Sequence, residues 1–277
     1  MSLKIKNQKK SKCSKYEFSI YEHSLSFEEL DNYIFEILYD ENKLNYLFQK
    51  DIPLSGKDRI RQLQRFIETS FVNRENEIDD EEIIQYIKNN KNETYYSFFA
   101  EALLARLNID FIDSKLVTGV ISTNENLTKI STGADVCMFS EDNLVIGEAK
   151  FYSTLNKGTH SIVKDESFKS KLEDYIKTIL SSDSEITLKN IVGDICEKTS
   201  EEIKRLPLIL SGFVLHNKNK SNNYNVTYNI IDKIKISNFP SHYKIHLYHL
   251  PIESKKDLLF KAQRMALSLI IKARKND

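Results

Sequence analysis

The chain has 277 residues, enough to bury a sizeable core as one elaborated domain or two small ones. Charged residues make up 29% of it and hydrophobic residues 40%, which excludes an intrinsically disordered chain. Lysine plus arginine and aspartate plus glutamate both number 40, so the net charge is zero and any contact with nucleic acid must come from a local basic patch or from a partner.

The cysteines and the hydropathy pattern indicate the compartment. Cys13, Cys137 and Cys196 lie far apart with no Cys-x-x-Cys pair, which is typical neither of a disulfide framework nor of a zinc ribbon. The lysine-rich start is not followed by the apolar run of a signal peptide, and no apolar stretch is long enough to span a membrane. We therefore expect a cytoplasmic protein with no membrane partner.

The first hundred residues predict helices joined by short polar breaks. Apolar side chains recur at helical spacing in the segments 27–39, 58–71, 81–87 and 94–107. Ser26 and Glu29 offer a capping box for the first of these helices. We therefore expect an α-helical N-terminal extension over residues 1–92, free to bind a partner.

The pattern then changes to short runs rich in β-forming residues. The predicted strands are 115–121, 134–139, 144–151, 206–215 and 243–250, with a tight turn at 140–143. The predicted helices are 164–180, 190–204 and 255–273. This order predicts an α/β fold for residues 93–277, with a mixed sheet flanked by helices.

Three charged residues stand in the otherwise apolar strands 134–139 and 144–151 of the predicted hairpin. Asp135 belongs to its first strand, and Glu148 and Lys150 belong to its second. Residues two apart in a strand face the same side, so Glu148 and Lys150 point together while Ala149 points away. Two charges in an apolar central strand are costly to bury unless they are paired or bind a metal.

The tripeptide Glu-x-Lys is by itself a weak signal. It recurs at Glu41, Glu202 and Glu253, in polar or helical settings where solvated charges are the simplest interpretation. Only the copy at Glu148 lies inside an apolar β-rich run. A structural ion pair or a decayed site is the alternative to a functional role there, because buried ion pairs also occur without function.

These side chains suit the hydrolysis of a phosphodiester bond. That reaction needs charge neutralisation on the phosphate and a deprotonated water aimed in line. Asp135 and Glu148 can supply the carboxylates that Mg²⁺ (or Mn²⁺) prefers, and the backbone carbonyl of Ala149 can be a third ligand. Lys150 can position the attacking water or hold the phosphate.

Glu101 is a candidate for a fourth metal ligand. In the predicted helix 94–107 it shares a face with Phe98, Ala102 and Ala105, so its carboxylate lies on the apolar side of the helix that precedes the hairpin. The alternative is that Glu101 pairs with Arg106 or faces a solvent gap.

Three histidines cluster near the end of the sequence. On a helix, His242 and His246 would be a plausible metal-binding pair. The run 243–250 predicts a strand instead, which sets His242 and His246 about 13 Å apart at 3.3 Å per residue. We therefore do not expect a zinc site there.

The motif of the hairpin resembles a known superfamily. Gly133-Ala-Asp135 followed by Gly147-Glu148-Ala-Lys150-Phe-Tyr152 is similar to the PD-(D/E)xK nucleases, over roughly residues 94–215. Within that superfamily, the Gly-Glu-Ala-Lys-Phe-Tyr form resembles the HamA family, the nuclease subunits of the bacterial Hachiman anti-phage system. Ala134 stands where the motif has proline, a common departure that leaves the aspartate in place.

The resemblance implies a fold, a mechanism and a partner. The fold would be a PD-(D/E)xK restriction-endonuclease-like core, with Asp135 and Glu148 as metal ligands and Lys150 as the catalytic lysine. HamA-type proteins work with HamB, so the implied partner is a HamB-like superfamily-2 helicase. A helicase that grips the DNA would also explain the neutral charge of this chain.

The sequence therefore predicts a Mg²⁺-dependent deoxyribonuclease that acts with a helicase in anti-phage defence. One alternative is a restriction or repair endonuclease of the same superfamily, which a neighbouring helicase gene would argue against. The other is a catalytically inactive nuclease-like module that binds DNA or a protein. Metal-dependent cleavage distinguishes this last alternative from the first two.

Overall fold

A computed structural model describes residues 2–12, 15–24, 29, 97–123, 134–166, 169–170, 172–173, 186–190, 197–218, 221–234 and 242–253. Its strands are β1 (Ser2–Lys10), β2 (Tyr16–Ser24), β3 (Val117–Thr123), β4 (Val136–Phe139), β5 (Leu144–Tyr152), β6 (Ile186–Asn190), β7 (Glu197–Lys198), β8 (Leu208–Asn217) and β9 (Tyr243–Ile252). Its helices with complete bounds are α1 (Ser97–Phe111), α2 (Leu155–Lys164), α3 (Ser200–Arg205) and α4 (Tyr224–Ile231). The predicted helices 58–71, 81–87 and 255–273, and all of 27–39 except Glu29, lie outside the described residues.

The strands form one mixed sheet in the order β1-β2-β9-β8-β5-β4-β3-β6-β7. The four neighbours β2, β9, β8 and β5 run parallel to one another, whereas β3, β4 and β5 form an antiparallel meander. The predicted α/β fold, with a large mixed sheet flanked by helices, is thus confirmed.

The meander contains the predicted tight turn. Phe139 pairs with Leu144, and the backbone N–H of Ser140 donates to the carbonyl of Asn143 at 2.9 Å. The Ser140 hydroxyl accepts from the backbone N–H of Asp142 at 3.2 Å and from that of Asn143 at 3.1 Å. A short side chain that satisfies turn amides in this way fixes the register between β4 and β5.

Helices α1 and α2 cover opposite faces of the sheet. A Cβ on Gly147 would come within 2.9 Å of Leu104 on α1, so Gly147 faces that helix. A Cβ on Gly212 would come within 3.3 Å of Ile162 on α2. Between these layers β5 and β8 are buried along nearly their whole length, as central parallel strands covered on both sides are.

The prediction of an all-helical N-terminal extension is wrong for residues 2–10 and 16–24, which form β1 and β2. In β2 the side chains of Phe18 and Ile20 are buried, and the strand pairs in parallel with β9. The segment alternates aromatic or β-branched residues with polar ones, a period of two that favours a strand over a helix. These residues therefore belong to the same sheet as the hairpin. For the rest of 1–92, the extension stays a prediction.

One predicted helix differs from the structure. In the described residues of 190–204, Asn190 ends β6, Glu197 and Lys198 form β7, and α3 begins at Ser200, where the Glu202 carboxylate accepts from the backbone N–H of Thr199 at 2.8 Å. Ahead of the predicted helix 164–180 lies α2, which the sequence did not predict. The chain leaves α2 at Asp165, and the described residues from Glu166 to Glu173 are helical again, as predicted.

No helix within the described part of the chain is both long and apolar enough to cross a membrane.

Candidate active site

Strand β5 presents Glu148 and Lys150 on the sheet face that α2 covers. Glu148 pairs with Gly212 of β8, and Lys150 pairs with Val214. Paired residues point to the same side of a sheet, and a side chain at Gly212 would point at Ile162 of α2. The predicted common direction of Glu148 and Lys150 is therefore confirmed, and both point under α2.

Asp135 reaches the same place from the neighbouring strand. It immediately precedes β4, whose first residue, Val136, pairs with Gly147, so Asp135 lies beside Glu148. Its Oδ2 accepts a hydrogen bond of 2.8 Å from the backbone N–H of Ala149. This bond closes the open end of the hairpin and holds the carboxylate next to Glu148.

Lys150 is held between two carboxylates. Its Nζ donates to Oε1 of Glu148 and, at 2.8 Å, to Oδ2 of Asp165. Asp165 is the C-cap residue of α2, where its backbone N–H donates to the carbonyl of Ile162. The sequence did not single out Asp165, because its place depends on where α2 begins and ends.

Burial and mutual repulsion perturb the two carboxylates. Glu148 is only 2% exposed. Its burial, together with the charge of Asp135, raises the pKa of Glu148 to about 8 despite the hydrogen bond from Lys150. Burial also raises the pKa of Asp135, against the opposing effects of the Ala149 amide and Lys150. Without a further cation, the pair therefore tends to retain a proton near neutral pH.

The pKa of Lys150 is also raised, and for a cation this stabilises the charged form. Burial lowers it, but the hydrogen bonds to Asp165 and Glu148 and the charges around it outweigh burial, so the pKa of Lys150 is raised. The ammonium group is therefore fully protonated at neutral pH.

The arrangement leaves one buried acceptor without a donor. Oε2 of Glu148 has no hydrogen-bond partner among the described residues. In the ionised carboxylate such an oxygen is costly to leave without a partner, and either the proton that the pair retains or a bound cation would remove that cost. Among the same residues no three His, Cys, Asp or Glu side chains are grouped closely enough to hold a metal ion. Two carboxylates and a backbone carbonyl nevertheless suit Mg²⁺, which keeps several of its waters.

Glu101 belongs to a different element, α1. It is half-buried on α1, and α1 packs on the face of the sheet opposite to the one that carries Glu148 and Lys150. Its predicted role as a metal ligand stays a prediction, as does that of the Ala149 carbonyl.

A second buried polar cluster joins the ends of β8, β9 and β2. As predicted, His246 and His249 belong to a strand, β9. Nε2 of His216 lies 3.0 Å from Nδ1 of His249, and Nδ1 of His216 lies 2.7 Å from the carbonyl of Asn217. Since a carbonyl only accepts, His216 carries its proton on Nδ1 and, when neutral, accepts from His249. Nε2 of His249 then faces the Glu22 carboxylate at 3.9 Å without a proton of its own.

No protein family, curated protein or solved structure matches this chain. The chemistry of the site is therefore argued from its geometry. Two buried carboxylates with raised pKa values and a fixed ammonium group lie together at the open end of one hairpin, and one carboxylate oxygen receives no donor from the described residues. This set can hold a divalent cation and the phosphate that it binds.

Proposed function

We propose that this chain is a Mg²⁺-dependent deoxyribonuclease of the PD-(D/E)xK type. The observation that carries the proposal is the buried Glu148, whose Oε2 lacks a donor among the described residues, beside Asp135 and on the same strand face as Lys150. The order of elements from α1 to β8 supports it. A helix, an antiparallel meander and a second helix follow one another, and β8, which comes after β6, β7 and α3, then pairs in parallel with β5.

Asp135 and Glu148 would hold the ion, and the carbonyl of Ala149 would add a third protein oxygen. When bound, Mg²⁺ neutralises charge on the scissile phosphate and lowers the pKa of a water molecule. The hydrogen bond from the Ala149 amide orients the Asp135 carboxylate before any metal arrives. A ligand that is already oriented loses less conformational entropy on binding.

Lys150 acts as a cation and hydrogen-bond donor rather than as a base, because its pKa is raised. An ammonium group has three N–H donors, and two of them are directed at Glu148 and Asp165. The third remains to hold a phosphate oxygen or the attacking water. Asp165, whose carboxylate accepts a hydrogen bond from Lys150, is in this scheme a positioning residue.

We further propose that the nuclease is cytoplasmic and acts in bacterial anti-phage defence with a HamB-like superfamily-2 helicase. The resemblance of the hairpin motif to the HamA family supports this part of the proposal. The zero net charge also supports it, because nonspecific DNA affinity comes chiefly from counterion release by lysine and arginine. A partner that grips DNA would supply what this chain lacks.

Cleavage of plasmid DNA by the full-length chain tests the site. We expect cleavage with Mg²⁺ or Mn²⁺ and none with EDTA, in the presence of a candidate helicase. Glu148→Ala and Lys150→Ala should each lower the rate by about a hundredfold or more, since each removes a group that acts on the reacting phosphate. Lys189→Ala is the matched control, because Lys189 pairs with Glu197 at the surface and belongs to β6, three strands away from β5 in the sheet.

Full activity of Glu148→Ala would refute the site. If neither metal supports cleavage by the wild-type chain with its helicase, the inactive DNA-binding module becomes the better interpretation.

A further inference from the structure

A surface pocket of about 520 Å³ lies beside the candidate active site. Tyr152 of β5, Lys157, His160 and Lys164 of α2, and Ile230 of α4 line it. A cavity of this size accommodates a small molecule or one or two units of a polymer, but not a nucleic-acid duplex.

The pocket is continuous with the catalytic residues along β5. Tyr152 follows Lys150 by two residues, so the two side chains share one face of the strand and their Cα atoms lie about 6.6 Å apart. The ring of Tyr152 is 37% exposed. An aromatic face open to solvent beside a phosphate-hydrolysing site can stack on a nucleobase.

Helix α2 supplies positive charge along the same pocket. Lys157, His160 and Lys164 are three and four residues apart, so they follow one face of the helix over about 10 Å. The residues that line the pocket, all of which the structure describes, include no Asp or Glu. The ammonium groups of Lys157 and Lys164 form no ion pair with the described residues. In a chain of zero net charge, this is a local basic patch.

One end of α2 adjoins the candidate active site, and the other end is hydrogen-bonded to α4. Lys164 directly precedes Asp165, whose carboxylate holds Lys150. Near the other end, Oδ1 of Asn156 accepts a hydrogen bond of 2.8 Å from the hydroxyl of Thr227 on α4. The two helices that form the pocket are thus fixed to each other, so a ligand would find the pocket already formed.

We infer that the pocket between α2 and α4 binds a single strand of DNA and leads it to Glu148 and Lys150. An unpaired base stacks on Tyr152, and the phosphates on either side contact Lys157 and Lys164. A duplex presents no free base face, which is why the ligand is a single strand. The identity of the ligand as substrate rests on the proposed nuclease function.

Fluorescence anisotropy of a labelled deoxythymidine oligonucleotide with the full-length chain in EDTA tests the inference without cleavage. Tyr152→Leu should weaken binding about fivefold or more, the effect of losing one stacked base. Lys157→Gln/Lys164→Gln should reduce the slope of log K against log salt by about 1.4, or 0.7 for each lost phosphate contact. Lys4→Gln/Lys12→Gln, which removes two exposed lysines on and after β1, should leave the slope unchanged.

Several outcomes would overturn the inference. They are wild-type affinity in the pocket variants, an equal loss in the Lys4/Lys12 control, and Tyr152-dependent binding of a hairpin duplex as tight as that of the single strand. The binding assay and the cleavage assay can fail independently, so the pocket and the proposed nuclease function are tested separately. Tyr152-dependent binding without metal-dependent cleavage would uphold the pocket and reject the nuclease. Cleavage that needs Glu148, with unchanged binding in the pocket variants, would uphold the nuclease and reject the pocket.

Discussion

Lys150 donates hydrogen bonds to carboxylates from two different elements, and the two carboxylates have different proposed roles. Glu148 lies two residues away on the same strand and is a proposed metal ligand. Asp165 comes from the end of α2 and is partly exposed, with its side chain 26% accessible. Because its hydrogen bond helps to raise the pKa of Lys150, Asp165 affects both the direction and the protonation of the ammonium group.

Asp165→Asn should therefore lower the rate of DNA cleavage about tenfold or more, in line with the loss of other partners that orient a reacting group. The Asn amide is a weaker acceptor than the carboxylate, so the variant also weakens the hydrogen bond that raises the pKa of Lys150. Lys150 would then lose its proton at a lower pH, so the alkaline limb of the rate profile should move to lower pH. Asp165→Glu should restore the limb. Lost activity with an unmoved alkaline limb would show that Asp165 is only structural.

The site could be predicted from the sequence only where its residues are neighbours along the chain. Asp135, Glu148 and Lys150 belong to one hairpin, and a period-two pattern fixes which of them point together. Asp165 lies 15 residues beyond Lys150. To place it, one must know that α2 exists, where it ends and which face it covers. None of these can be read from the residues around Asp165.

At the scale of elements, the apolar runs that became β5, β8 and β9 were predictable because buried parallel strands are hydrophobic throughout. Helix α2 was not, because Gly158, Thr159 and Ser161 lower its intrinsic helix propensity. The packing explains the glycine. A Cβ at Gly158 would overlap a methyl group of Val214 on β8, so the close approach of α2 to the sheet outweighs propensity.

Gly147 allows α1 to approach the opposite face of the sheet in the same way, and this packing can be tested. A Cβ there would overlap Oγ of Ser211 and lie 2.7 Å from Val136 and 2.9 Å from Leu104. Gly147→Ala should lower the free energy of unfolding by about 1–3 kcal/mol, the usual effect of overpacking. Urea unfolding measures it, with Gly158→Ala as a second overpacked glycine on the opposite face.

A double variant checks the cause of that effect. In Gly147→Ala/Ser211→Ala the closest clash is gone, but Nδ2 of Asn108 loses its 3.2 Å hydrogen bond to Ser211. If overlap at Oγ dominates, the double variant is more stable than the sum of the two single effects predicts. Strict additivity would exclude this overlap as the cause.

At the scale of the whole molecule, the buried histidines should make stability depend on pH. The groups that face His249 are His216 on β8, Glu22 on β2, Lys6 on β1 and Tyr224 at the start of α4. Burial, with His216 and Lys6, lowers the pKa of His249 to about 3. Between about pH 6.5, its usual value, and pH 3, only the unfolded chain binds this proton.

The contribution of His249 to stability is thus fully present above about pH 6.5 and is lost as the pH falls toward 3. One such proton changes the free energy of unfolding by about 1.4 kcal/mol per pH unit within that window. We expect His249→Gln to show a shallower loss of stability than the wild type between pH 6 and pH 4 in urea unfolding. Parallel pH slopes for the two proteins would mean that His249 is protonated in the folded state.

The proposed helicase partner belongs to the same scale. A complete nuclease site in a neutral chain should be restrained until a partner delivers DNA, so the chain expressed alone should not be toxic. It should co-purify with a neighbouring helicase, and the partner surface should involve the part of residues 1–92 that follows β2. Free cutting of DNA at physiological salt, without association with any helicase, would contradict this proposal.

The place of β2 in the sheet also constrains how the chain can fold. Tyr16 pairs with Tyr243, and the Tyr16 hydroxyl donates to the Asp232 carboxylate at 2.5 Å. The pairing with β9 has to wait until β9 has been synthesised, so β2 finds this partner only after the strands of the hairpin and β8 have followed it. Pairing over so long a stretch of chain is slow, because the intervening loop must close first. Until then the edge of β2 that will bind β9 is open to other strands, and this is the stage at which the protein is most exposed to aggregation.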